Sequence, residues 1–138
     1  MPERDIFHDV VRNALIKDGW KITHDPLVLE VGHKKLFVDL GAASLLSAAK
    51  AERAIAVEIK SFRGKSDVKD LQQAIGQYVM YKHLLTYLGK ERELFLAITK
   101  DVYNDVFMLE LGQLMITMVS LRLVIFDPDL KEIIEWTP

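Results

Sequence analysis

Cysteine is absent from the 138 residues. That excludes a disulfide framework and a thiolate zinc site, and it fits a reducing compartment. No pair of the four histidines has zinc-ligand spacing. There is no Walker loop and no Gly-x-Gly-x-x-Gly, so nothing points to nucleotide hydrolysis or dinucleotide binding. Basic excess is lacking too: 18 Lys plus Arg stand against 20 Asp plus Glu, a formal charge of −2. Sequence-blind nucleic-acid binders usually carry a clear positive excess, because phosphate neutralisation supplies most of their affinity. The balance argues against a free-standing binder of that kind, while leaving room for a small basic patch beside an acidic site. Long hydrophobic runs are missing as well. The most apolar stretch, Val106 to Phe126, contains Glu110, Gln113 and Arg122. Its longest uncharged piece, Leu111 to Leu121, is well short of the ~20 residues that span a bilayer. Met1-Pro2-Glu3-Arg4-Asp5 lacks the basic-then-apolar pattern of a signal peptide. These absences together lead us to expect a soluble cytoplasmic protein.

What the chain does have is apolar content. Half its residues are hydrophobic, too many for disorder. A length near that of one typical domain leads us to read residues 1–138 as a single unit. Such a chain buries roughly 68–70% of its unfolded surface, enough for a core without staples. No repeat, linker or low-complexity segment interrupts it.

Asp5 to Asp18 places Ile6, Val10, Ala14 and Leu15 near helical spacing, with Gly19 as a stop. Trp20 to Thr23, Leu27 to Val31 and Leu36 to Leu40 read as three strands, separated by turns at His24-Asp25-Pro26 and Gly32-His33-Lys34-Lys35. Gly41 to Arg53 is rich in Ala, Ser and Leu and reads as a short helix or a long connection. Ala54 to Lys60 is a strand, Ser61 to Ser66 a loop, and Ser66 or Asp67 caps a helix that runs to about Leu88 and stops at Gly89. Leu94 to Thr99 is a continuous apolar run of the kind central strands show. Val102 to Met118 reads as helical, in two pieces broken near Gly112, and Leu121 to Phe126 and Glu132 to Trp136 close the chain as strands. The order α-β-β-β-α-β, then α-β-β, predicts a three-strand meander within a mixed sheet flanked by helices.

The residues that carry chemistry are Asp39, Glu58 and Lys60. Glu58 and Lys60 lie two apart on one strand, so their side chains leave the same face. Asp39 lies near the end of the preceding strand. If those strands are neighbours, two carboxylates and an ammonium converge at a sheet end. Two carboxylates offer hard oxygens to Mg²⁺ or Mn²⁺. A metal so held makes bound water a better nucleophile and screens developing phosphorane charge. The ordinary alternative is a pair of solvated charges on a strand face. The buried look of the strand, with Val57 and Ile59 between and before the charges, weighs against it, since buried charges are usually paired or coordinate something.

Val38-Asp39 followed by Glu58-Ile59-Lys60, in that element order, resembles the PD-(D/E)XK nuclease superfamily, with Val38 where its motif has proline. A wider set of residues sharpens the likeness: His8-Asp9-x-Val11, Asp18-Gly19-Trp20-x-Ile22-Thr23-His24-Asp25-Pro26, Asp39-Leu40-Gly41-Ala42, Val57-Glu58-Ile59-Lys60-Ser61-Phe62 and Ala74-Ile75-Gly76-Gln77-Tyr78. Together these resemble the XisH-type family, the fdxN element excision controlling factors. The resemblance covers nearly the whole chain and is specific as a set. It implies a restriction-endonuclease-like fold and a role in programmed excision of a DNA element in cyanobacteria, beside a site-specific recombinase and an XisI-type companion protein. Carried over residue by residue, it implies Asp39 and Glu58 as ligands of Mg²⁺ or Mn²⁺ and Lys60 as the group that orients water or stabilises charge. A helix glutamine reaches the site in some branches. Gln73 and Gln77 share one face as i and i+4, and Gln77 comes first because Gln77 with Tyr81 matches a Gln-x-x-x-Tyr spacing. Other branches use a first-helix acid or histidine, here Asp9 or His8. Arg63, Lys65 and Lys69 follow the strand closely and are candidates for phosphate contacts. A homodimer follows by analogy with enzymes that cut or bridge DNA in pairs. The alternative is a catalytically silent module of the same fold that binds DNA, the recombinase or the companion.

Overall fold

The computed structural model describes residues 4–45 and 52–138. Helix α1 (His8–Lys17) is followed by strands β1 (Lys21–His24), β2 (Leu27–Val31), β3 (Lys34–Val38), β4 (Leu40–Leu45) and β5 (Glu52–Ile59). The long helix α2 (Asp67–Tyr87) then leads into β6 (Glu93–Thr99). A single turn α3 (Lys100–Val102), a π-helical turn at Tyr103–Phe107 and helix α4 (Glu110–Val119) precede β7 (Leu123–Asp127) and β8 (Glu132–Thr137). The main sheet has the order β1-β4-β5-β6-β7-β8. Its centre is parallel, β5 with β6 and β6 with β7, and its flanks are antiparallel. No helix among the described residues is long and apolar enough to cross a membrane.

The mixed sheet flanked by helices agrees with the sequence expectation; the meander does not. β2 and β3 form a separate two-stranded hairpin, and β1 pairs with β4 instead. Gly41 to Leu45, read as helix or connection, is the strand β4, and β5 already begins at Glu52; the remainder of that stretch lies outside the described residues. Ala42 and Ala43 are fully or almost fully buried in the sheet, so tertiary burial overrides their helical propensity. The expected break near Gly112 lies earlier, at Met108 and Leu109. Gly112 sits inside α4, where a Cβ would fall 2.3 Å from the Val106 carbonyl oxygen. The glycine lets α4 close onto the π-helical turn.

Strand alternation divides the core in two. Ile55, Val57, Phe95, Ala97, Val124 and Phe126 turn to the side covered by Val11 and Leu15 of α1. Ala56, Leu94, Leu96, Ile98, Leu123 and Ile125 turn to the other side, where α2 and the β2–β3 hairpin cover them. Tyr78 ties α2 down: its hydroxyl donates to the Leu94 carbonyl at 3.2 Å and accepts from the Arg122 N–H at 3.2 Å. Helix α2 starts where Ser66 Oγ accepts the Lys69 N–H at 3.2 Å, an N-cap of the usual kind. Glu58 and Lys60 share the parity of Ala56, so they leave β5 on the α2 side.

Candidate metal centre

Three elements bring the acids together. Leu40 pairs with Val57 across β4 and β5. One residue further along that register, Asp39 faces Glu58, where the chain bends out of β3 into β4. The backbone closes the arrangement: the Asp39 N–H donates to Glu58 Oε1 at 3.2 Å and the Ile59 N–H donates to Asp39 Oδ2 at 2.8 Å. Sequence reasoning placed Asp39 near the end of a strand, and it stands just beyond β3, at the bend.

Both carboxyls are withdrawn from water, and Glu58 is only 6% exposed. Burial foremost, then the negative charge of Asp39 and a hydrogen bond to it, push the Glu58 carboxyl up to about 9. Burial also raises Asp39, opposed chiefly by the Ile59 N–H that it accepts. Two buried like charges in contact cannot both ionise cheaply. The pair therefore holds a proton near neutral pH unless a cation takes its place.

Lys60 makes no ion pair among the described residues. Its Nζ donates to Gln73 Oε1 at 2.5 Å. The helix glutamine brought to the lysine is thus Gln73, from the first turns of α2. Gln77 stands one turn on, half-buried, and makes no side-chain hydrogen bond among the described residues. Tyr81 is buried on α2, and its phenol is pushed up to about 12 by burial, with the charges of Glu58 and Asp39 adding to the effect. That places Tyr81 within electrostatic reach of the pair.

Of the first-helix candidates, Asp9 is exposed and pairs with Arg4 at 3.5 Å. His8 is buried, bonded through Nε2 to Asp25 Oδ1 at 2.7 Å, and an imidazolium there favours the Asp39 anion. Asp25 also binds Arg12 at 2.8 Å. The His24-Asp25-Pro26 run, read as turn chemistry, therefore also anchors α1. The acid sent toward the centre from this end of the chain is Asp5, just ahead of α1, which sequence reasoning missed. Its Oδ2 accepts the Ser61 N–H at 3.1 Å, its Oδ1 caps the Phe7 N–H at 2.9 Å, and its charge is felt at Asp39. The only sequence signal was an Asp just ahead of an amphipathic helix. Arg63 and Lys65 are exposed on the loop after Lys60, and Lys69 is exposed in the first turn of α2. The loop is pinned by the Gly64 N–H to Asp70 Oδ2 at 2.9 Å and by Phe62, which holds a left-handed φ of 54° while its ring packs edge-on against Phe107.

The donor set fits a hard divalent cation. Mg²⁺ commonly uses one or two carboxylates and completes its shell with water and phosphate oxygens. Among the described residues no third His, Cys, Asp or Glu joins the pair in a metal-binding cluster, so any cation there would keep most of its other positions open.

A family model described as XisH protein matches residues 1–134. No curated protein matches the chain. Among solved structures, an XisH family protein from Nostoc punctiforme is 34% identical with a TM-score of 0.87, covering 97% of this chain and 100% of that one. An fdxN element excision controlling factor protein from Anabaena variabilis is 33% identical with a TM-score of 0.86, covering 98% of this chain and 100% of that one.

Proposed function

The chain belongs to the XisH family, and from that premise we propose that it is an element excision controlling factor that acts on DNA as a Mg²⁺- or Mn²⁺-dependent phosphodiesterase. The observation that supports the chemistry is the buried Asp39–Glu58 pair, two carboxyls in contact that burial and mutual repulsion leave short of one positive charge. Asp39 and Glu58 would hold the cation. When bound, such an ion supplies Lewis acidity and a more acidic water. Lys60, held by Gln73, stands two residues beyond Glu58 to meet a phosphate oxygen or orient a water. Arg63, Lys65 and Lys69 would take flanking phosphates, positioning the strand without reading its bases. An XisI-type companion and a site-specific recombinase complete the proposed setting.

The test is cleavage of element-end DNA by the purified chain, with and without the companion, in Mg²⁺ and in Mn²⁺. Nicking or cleavage that disappears in Glu58→Gln and Lys60→Ala, with circular dichroism unchanged, supports the reading. Absence of cleavage together with absence of Mn²⁺ binding at millimolar concentration overturns it.

A second reading keeps the fold and drops the chemistry. One observation favours it: each acid already accepts a backbone N–H, from Asp39 itself and from Ile59, so the pair is partly satisfied within the fold. DNA or partner binding that is unaffected by Glu58→Gln, without turnover, would select this reading.

A further inference from the structure

The apolar arc of α4 is wider than the sheet covers. Gly112, Ile116 and Val119 turn inward. Leu111, Leu114 and Met118, at i, i+3 and i+7, share one face and stay exposed, Met118 by 71%. A surface helix ordinarily carries polar residues there. Leu111 also lines a concavity of about 230 Å³ between α4, the π-helical turn and the start of α2. Its other walls are apolar except for Asp67 and Asp105, and Glu110 stands beside it at the start of α4. Among the described residues none of these three acids has an ion-pair partner.

Charge selects the occupant. A second copy meeting this concavity through a two-fold axis that passes through it would bring the same acids of both chains together. Nucleic acid would bring phosphates to them. We propose that this face is the docking surface for a separate protein, through a helical segment that is apolar on one side and bordered by Lys or Arg. Such a helix lays its apolar side in a groove, and its cations would meet Asp67, Asp105 and Glu110. The surface adjoins the Lys60 loop: α2 leaves that loop, and Phe107, at the end of the π-helical turn, carries Phe62. The inference does not rest on the chemistry of the carboxylate pair.

The test uses the full chain and two labelled synthetic helical peptides with the same leucine stripe, one bordered by lysines and the other by glutamates, with binding read by fluorescence anisotropy. The lysine peptide is expected to bind at least about tenfold more tightly, a difference of about 1.4 kcal/mol. Leu114→Glu should abolish that binding although it adds negative charge, which separates apolar docking from plain ionic attraction. Met118→Gln, at the most exposed position, should weaken binding without disturbing the fold. Reversing Asp67 and Asp105 to Lys together should exchange the peptide preference. Equal binding of both peptides, binding of neither, or lysine-peptide binding unmoved by both α4 variants would overturn the inference. So would a dimer in sedimentation that Met118→Gln breaks, since a second copy would then be the occupant. No arm measures DNA cleavage, so failure here leaves the carboxylate reading untouched.

Discussion

The start of the parallel strands and the end of β5 treat charge in opposite ways; at the end of β7 the buried Asp127 is paired with Lys100 at 3.0 Å. Where β5, β6 and β7 begin, Glu93 lies between two cations: Arg122 at 2.5 Å and Arg53 at 3.3 Å. Arg53 also lies over the Trp20 and Phe95 rings, 5.5 and 5.9 Å from their centroids. All three charged side chains there are about two-fifths exposed and electrically answered. Where β5 ends, Asp39 and Glu58 are buried and bonded to backbone N–H groups, with no ion-pair partner among the described residues; the charges of His8 and Lys60 act on them only through space. The nearest amine, Lys60, is bonded to a neutral glutamine. A fold maintained for stability alone would match its buried acids with cations, because unpaired buried charge is costly. The imbalance at one end, set against the balance at the other, marks where a missing positive charge would be useful.

The largest effect should come from removing the unbalanced groups. Lys60→Ala should reduce metal-dependent cleavage about 10²–10³-fold, the usual cost of losing one group that stabilises transition-state charge. Glu58→Gln should lower turnover at least as far and also weaken Mn²⁺ binding, read by titration calorimetry. Retention of full cleavage in both variants would mean that the two strand ends do not differ in function.

The same contrast has a signature in stability against pH. In the folded chain Glu58 titrates near 9, and in the unfolded chain near the ordinary carboxyl value. Between those values the unfolded state has lost a proton that the folded state keeps. The contribution of Glu58 to the stability of the metal-free protein is therefore full below about pH 4.5 and falls as pH rises toward about 9, by an amount on the order of a few kcal/mol. Glu58→Gln should remove most of that slope and stabilise the metal-free chain at pH 8. Mn²⁺ should do the same for the unaltered chain. Urea midpoints at pH 5, 7 and 9 check both, and a flat profile in the unaltered chain would show that the pair is not strained by its own charge.

The convergence of Asp39, Glu58 and Lys60 was legible in the sequence because it depends on period-two geometry and on two strands being neighbours. The neighbouring strand was misread, however. Strands adjacent in sequence suggested a meander, whereas the chain leaves β3 at Asp39, bends, and enters β4, a strand whose Gly-Ala-Ala composition resembles helix or loop. Asp39 is at the site because it occupies that bend. Asp5 was invisible for a different reason. Its partner is a backbone N–H 56 residues away, and recognition of a main-chain group imposes no residue pattern. Gln73 and Gln77 lie on one face of α2, and the Gln-x-x-x-Tyr spacing put Gln77 first, whereas the Lys60 side chain reaches Gln73; a spacing pattern does not carry the reach of a side chain from another element.

That distinction gives an intermediate effect. Gln73→Ala removes the acceptor that holds Lys60 and should lower cleavage by about tenfold, equivalent to about 1.4 kcal/mol. Gln77→Ala should change it much less. The rate measured at saturating Mn²⁺ separates a misplaced lysine from a weakened metal site, and the reverse order of effects would return the glutamine role to Gln77.

The smallest effect belongs to the balanced end. Glu93→Gln deletes the charge between Arg53 and Arg122, but their side chains are about two-fifths exposed, so water already screens most of the attraction. The expected loss is about 1 kcal/mol or less, read as a shift of the urea midpoint. The ionic part should shrink further in high salt, because exposed pairs are screened within about 10 Å at 0.1 M ionic strength. The contact of Arg53 with the Trp20 and Phe95 rings survives the substitution and limits the damage. The sign should be a loss, because Glu93 stands between two cations, the opposite of Glu58. A Glu93→Gln variant more stable than the unaltered chain would place an unanswered acid at this end too, and the contrast that singles out Asp39 and Glu58 would lose its force.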